Sequence, residues 1–100
     1  MENSQAENGE TKEDGIRWND ETFKQFEFLV GKIPVFLRGM AKEKILKKIK
    51  SIVAAENRVA IGEKDMVDAF FAETPFGFHG PLKVDMEEID LDYTKYGYPR

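Results

Sequence analysis

The longest helical pattern in this sequence begins at Pro34 and continues to about Glu56. Proline suits the first turn of a helix, where its missing N–H is not needed. Charged side chains follow one face of the segment, and Asn57 suits its C-terminal cap. Apolar residues recur at helical spacing on the other face: Leu37, Ala41, Ile45, Ile49, Ile52 and Val53. A helix of this length with one apolar stripe needs other elements to cover it, so the pattern predicts a helical fold.

A shorter helix is predicted before this segment. The run Asn19-Asp20-Glu21 is a helix-start signal, and the helix should extend from about Asp20 to Val30. Its buried face is expected to contain Phe23, Phe26 and Val30, and Gly31 should end it.

A third helix is predicted after Gly62, and it should end near Thr74 because Pro75 disfavours helix in the residue before it. Between the second and third helices, the run Val59–Ile61 is interpreted as an extended connection rather than a strand of a sheet. Pro81 is expected to open a brief fourth helix. The apolar side chains expected from the third helix are Met66, Val67, Phe70 and Phe71.

The predicted fold class is therefore all-α, with three main helices, a short extended link between the second and third, and an irregular C-terminal segment. One hundred residues allow one modest core. Residues 1–15 are acidic and have no large apolar side chain after Met1, so they are predicted to be a disordered tail. Residues 16–74 should form the helical domain, and residues 75–100 a loop, a short helix and an aromatic tail packed on it.

Several classes of function are disfavoured by the residues that are present. The sequence has no cysteine, which excludes disulfides and cysteine-ligated metal sites from this chain. It shows no secretory signal and no apolar run long enough for a membrane helix, so a cytoplasmic protein is predicted. His79 is its single histidine, and Ser51 lies mid-helix without a glycine-flanked turn. We therefore predict no catalytic residues, no cofactor and no metal site; the acids between Asp85 and Asp92 fit a solvated face better than a cation site.

Charge is distributed unevenly along the chain, although its net value is −4. The segment from Val35 to Lys50 is basic, and the part after Ser51 is acidic. Lysines on the long helix favour phosphate contacts, so nucleic-acid binding is an alternative function. An ordinary solvated helix face is the simpler interpretation of the same lysines.

Arg38 lies on the same side of the long helix as Ile45 and Ile49, so its guanidinium is expected to point where the apolar stripe points. A cation in such a position must be hydrogen-bonded or paired. The structural hypothesis is a bond to a C-terminal acid or to the carbonyls that end the first helix. The functional hypothesis is an anion or partner site.

The sequence around Arg38 resembles a known family. The matching residues are Trp18 with Asp20-Glu21, then Ile33-Pro34-x-Phe36-Leu37-Arg38-Gly39-x-Ala41-Lys42, and later Ile61-Gly62-Glu63 with Met66 and Ala69. This pattern, over roughly residues 16–72, is similar to the small C-terminal domain found in light-independent protochlorophyllide reductase, which also occurs in other bacterial proteins. The resemblance implies a helical cap beside a pigment site, with the catalytic parts in other chains.

The function predicted from these observations is a non-catalytic accessory or protein-binding module that engages a larger protein. A link to a tetrapyrrole-reducing complex is implied only by the resemblance. The residues predicted to take part in partner or anion binding are Trp18, Arg38, Lys42, Phe78 and His79.

Overall fold

The computed structural model describes residues 15–100, so the predicted disordered tail lies almost entirely outside the described residues. The fold of the described part is all-α, as predicted, with two very short strands. In chain order the elements are β1 (Arg17–Trp18), α1 (Asp20–Gly31), α2 (Val35–Ala55), β2 (Ala60–Ile61), α3 (Glu63–Glu73), a first 3₁₀ helix (Phe76–Phe78), α4 (His79–Glu88) and a second 3₁₀ helix (Tyr93–Tyr96). No helix among residues 15–100 is both long and apolar enough to cross a membrane.

The start and end of α1 follow the predicted signals. The side chain of Asn19 accepts a hydrogen bond from the backbone N–H of Thr22 at 3.0 Å, which satisfies one of the free donors of the first turn. Acidic residues occupy that turn, where the helix dipole favours negative charge. Phe26, Leu29 and Val30 are buried, whereas the predicted core residue Phe23 is only partly buried.

The helix α2 is unbroken over 21 residues, or about 30 Å. Asn57 follows the helix in the left-handed conformation, with φ 56°. This agrees with the prediction that Asn57 lies at the C-terminal end of the helix, because asparagine tolerates that conformation. However, only the second half of the predicted stripe is buried. Its buried residues are Ile45, Ile49 and Val53. Leu37 is 40% exposed, so the expectation of a continuous buried stripe is wrong for the first turns of α2.

The length of α3 explains this difference. Its buried side chains, which include Met66, Val67 and Phe70, belong to the same core as the second half of α2. The helix has 11 residues and ends before Pro75, so it spans about 17 Å of the neighbouring α2. The first turns of α2 therefore extend past the end of α3 and are not packed against it.

The link before α3 also differs from its prediction. Ala60–Ile61 forms a strand that pairs in parallel with Arg17–Trp18, so β1 and β2 make a two-stranded sheet. The backbone N–H of Arg17 donates to the carbonyl of Val59 at 2.6 Å. The run is extended, as predicted, but it is a strand of a small sheet, which the prediction did not include. The pair ties the start of α1 to the start of α3.

An ion pair fixes the entry to α3. The guanidinium of Arg58 donates to both carboxylate oxygens of Asp65, at 2.6 and 3.0 Å, and the N–H of Gly62 donates to the same group at 2.9 Å. Burial opposes ionisation of Asp65, but these hydrogen bonds outweigh it and hold its pKa below the usual value. Asp65 therefore caps α3 and joins it to the end of α2.

Candidate functional site

The first turns of α2 form one wall of an open apolar groove of about 490 Å³. Its other walls are the end of α1 and the turn from α3 to α4. That turn exists because Pro75 ends α3 and a short 3₁₀ helix connects it to α4. The apolar lining residues are Leu29, Ile33, Pro34, Leu37, Met40, Ala41, Ile45, Phe70, Pro75, Phe78, Pro81 and Leu82.

Large apolar side chains at and around this groove are open to solvent. Met40 is 59% exposed and Phe78 is 63% exposed, and both line the groove. Phe36, on the adjacent side of α2, is 85% exposed. Scattered apolar residues are common on protein surfaces, but a group of them around a concave groove is typical of a binding site.

The polar rim of the groove carries opposite charges on its two sides. Lys32 and Lys44 belong to the α1 and α2 walls, whereas Glu73 and Asp85 belong to the α3 and α4 walls. Lys32 Nζ lies 3.0 Å from a carboxylate oxygen of Glu88, so α1 and α4 are joined by an ion pair at this edge. Burial raises the pKa of Asp85, while Lys32 opposes this rise and Glu88 adds to it.

A smaller cavity of about 290 Å³ lies next to the groove, further along α2. It is lined by Lys44, Lys47, Lys48 and Ser51 on α2, with Glu73 across from them. Lys44 and Glu73 line both spaces, so the two are neighbours. The surface beside α2 therefore changes from apolar to basic along the length of the helix.

Arg38 binds the end of α1. Its Nε donates to the carbonyl of Ile33 at 3.1 Å, and its Nη2 donates to the carbonyls of Ile33 at 2.8 Å and Gly31 at 3.0 Å. The last carbonyls of a helix have no partner within the helix, and Arg38 satisfies one of them together with a carbonyl of the following loop. This arrangement is one of the two structural bonds that the sequence suggested. A role of Arg38 in partner binding stays a prediction.

The structure places Trp18 in the core rather than on the surface. Its ring lies 5.3 Å from that of Phe23 and 4.9 Å from that of Phe26, and its side chain is buried. Its indole Nε1 has no hydrogen-bond partner among the described residues. Trp18 thus supports β1 and α1 and offers little area to a partner.

The other predicted site residues lie in different places. Phe78 lines the groove. Lys42 is half-buried on α2 and lines neither cavity. His79 Nε2 lies 3.1 Å from the carbonyl of Phe71 and 2.9 Å from that of Thr74, so its N–H donates hydrogen bonds to the carbonyls at the end of α3. The five predicted residues do not form one cluster.

Tyrosines of the C-terminal segment donate hydrogen bonds to three carboxylates, of which only Glu87 belongs to the acids between Asp85 and Asp92 that were predicted to form a solvated face. Tyr93 donates to Glu87, Tyr96 donates to Glu63, and Tyr98 donates to Asp68. Burial raises the pKa of Tyr98 to about 12, and the bond to Asp68 adds to the rise. Among residues 15–100, no three His, Asp or Glu side chains are grouped so that they could hold a metal ion.

Sequence reasoning missed the groove itself. Met40 is an apolar residue that a helix of this kind could bury, but it is exposed at the groove, and α3 ends at Glu73. The sequence signal was indirect. It was the difference in length between the pattern after Pro34 and the pattern that Pro75 ends.

Comparison with known proteins identifies a family. The sequence profile of a family described as "Protein of unknown function (DUF2621)" matches residues 8–98. No curated protein and no solved structure is significantly similar to the chain. Because the profile covers nearly the whole sequence, the chain belongs to the DUF2621 family.

Proposed function

We propose that this chain is a non-catalytic protein-binding module that receives an amphipathic helix of a larger protein in the groove between α2 and the α3–α4 turn. The observation that carries the proposal is the uncovered first half of α2, where Leu37 and Met40 face a concave apolar space. Grooves of this kind bind helices through apolar residues spaced three and four positions apart. Burying an exposed Phe or Met side chain contributes about 1.5–3 kcal/mol, so a few such contacts can give useful affinity.

The shape and chemistry of the groove favour a helix from another protein over two other occupants. The residues before Gly15 contain no large apolar side chain after Met1, so they offer nothing to fill an apolar groove. In a twofold dimer the same patch would meet itself, and a concave surface does not complement a concave surface. A convex helix does.

The resemblance of residues 16–72 to the protochlorophyllide reductase domain supports one class of partner, a subunit of a tetrapyrrole-reducing complex in the cytoplasm. The catalytic chemistry would then belong to the partner chains. Finding the gene beside genes for such subunits would strengthen this part of the proposal, and its absence from every such neighbourhood would count against it.

Nucleic-acid binding through the α2 lysines stays an alternative. Lys44, Lys47 and Lys48 line one cavity, which supports it, whereas Glu73 in the same cavity and an isoelectric point of about 5.0 oppose it. Phosphate contacts would make binding fall steeply with salt. A low-salt gel shift with duplex and single-stranded oligonucleotides that shows no complex would eliminate this alternative.

The protein-binding proposal can be tested with designed peptides. The probes are fluorescein-labelled helical peptides with leucines along one face, and the assay is fluorescence anisotropy. Met40→Glu should weaken binding about tenfold or more, because it places a charge against the apolar face. Val59→Glu is the matched control, since Val59 is 57% exposed in the α2–β2 link and lines neither cavity. Circular dichroism should show that both variants are folded. No binding of any peptide, or equal effects of the two substitutions, would contradict the proposal.

A further inference from the structure

We infer that the helix bound in this groove is apolar over its first contact region and acidic about two turns further along, because a second cavity, lined by Lys44, Lys47 and Lys48, lies next to the groove along α2. This inference rests on the proposed function and names the chemistry of the partner.

The spacing along α2 sets the spacing in the partner. Leu37 and Met40 lie at the apolar end, and Lys47 and Lys48 lie at the basic end. Met40 and Lys47 are seven residues apart on one continuous helix, which is about 11 Å, or two turns. A partner helix that lies along α2 therefore contacts the apolar wall with two of its turns and the lysines with the next two turns.

The charges at the basic end favour carboxylates. Three lysines face one glutamate, Glu73, so the cavity retains an excess of positive charge. None of these three lysines forms an ion pair with a residue among 15–100. Carboxylates placed here gain attraction from several ammonium groups and displace no existing pair in this part of the chain.

The charges at the apolar end restrict where the acids can be. Asp85 stands on the wall opposite α2, lines the groove and not the basic cavity, and has a pKa that is already raised by burial. A carboxylate of the partner beside Asp85 would meet like charge at a partly desolvated position, which is unfavourable. The partner's acids are therefore confined to the end of the helix that lies over the middle of α2.

The test uses three designed peptides that share the same leucine face in their first two turns. The face of the next two turns carries glutamate, glutamine or lysine. Binding to the full chain is measured by fluorescence anisotropy at low and at physiological salt. We expect the glutamate peptide to bind about three- to tenfold more tightly than the glutamine peptide, the lysine peptide to bind most weakly, and the differences to shrink as salt rises.

One substitution and a matched control locate the effect. Lys47→Glu should remove the preference for the glutamate peptide and leave the affinity for the glutamine peptide unchanged. Lys24→Glu makes the same change of charge at an exposed position of α1 that lines neither cavity, and it should preserve the preference. Loss of preference in both variants would mean that net charge, rather than this cavity, selects the peptide.

The outcomes separate the two claims. If all three peptides bind equally, the groove binds helices and the acidic inference is wrong. If the lysine peptide binds best, the inference is likewise overturned. If no peptide binds, the proposed function fails as well. Binding of an oligonucleotide in place of every peptide would assign the lysines to nucleic acid and overturn the inference.

Discussion

Replacing Arg38 by alanine is a demanding test of how the start of α2 is held. The guanidinium makes three hydrogen bonds to the carbonyls of Gly31 and Ile33, and these bonds join the end of α1 to the first turns of α2. Alanine removes every one of these donors while it keeps good helix propensity. The expected result is therefore a loss of tertiary attachment without a loss of helix formation.

The magnitude follows from the exposure of the acceptors. A hydrogen bond to a charged group contributes about 1.5–3 kcal/mol, less where water can replace it. The bond to Gly31 is exposed, so water can take it over, whereas the two bonds to Ile33 are partly buried. We expect the free energy of unfolding to fall by about 1–2 kcal/mol, which corresponds to a fall in Tm of about 4–16 °C for a domain of this size.

The assay is urea unfolding followed by circular dichroism, with two comparison variants. Arg38→Lys should lose part of the stability, because one ammonium group cannot reproduce the planar fork of donors. Glu43→Ala, at an exposed position of the same helix, should change stability by less than about 0.5 kcal/mol, as is usual for a surface substitution. An unchanged unfolding free energy for Arg38→Ala, together with weaker peptide binding, would refute the structural role and support the functional hypothesis.

Further substitutions test the core and its edges. Ile49→Ala should lower the free energy of unfolding by about 2–5 kcal/mol, because the side chain is fully buried. Leu37→Ala on the same helix should lower it by under about 1 kcal/mol. Equal losses in urea unfolding would show that the first turns of α2 are covered. Arg58→Ala should lower the free energy of unfolding, because it leaves the buried carboxylate of Asp65 without its charged partner, and the loss should shrink as acid protonates that carboxylate. Tyr98 has a pKa raised to about 12, so its contribution to folding stability is complete below about pH 10 and is lost as the pH rises towards 12. Tyr98→Phe should therefore flatten the alkaline decline of stability in a pH series of thermal melts.

The helix boundaries were largely readable from local chemistry. Asn19 caps α1, Pro34 immediately precedes α2, and Pro75 ends α3, because each of these residues favours or forbids a specific backbone geometry. Asn57 entered the left-handed region for the same reason. Signals of this kind act within a few residues, so one sequence is enough to find them.

The groove and the sheet depend on contacts between distant parts of the chain. Leu37 and Ile49 have the same character in the sequence, and only the three-dimensional reach of α3 makes one exposed and the other buried. Pairing of Arg17 with Ala60 joins strands of two residues each, too short to leave an alternating pattern. The tyrosine–carboxylate bonds, such as Tyr96 to Glu63, likewise connect residues far apart in sequence.

The most direct test of the groove is an NMR titration of ¹³C-methyl methionine with the leucine-faced peptide. Met40 lines the groove and is 59% exposed, whereas Met66 and Met86 are fully buried in the core, so one spectrum contains both the probe and its controls. The account predicts that the Met40 methyl resonance shifts in a saturable way, while the resonances of Met66 and Met86 stay in place. A binding peptide that leaves Met40 unshifted, or that shifts all three methionines alike, would contradict the account.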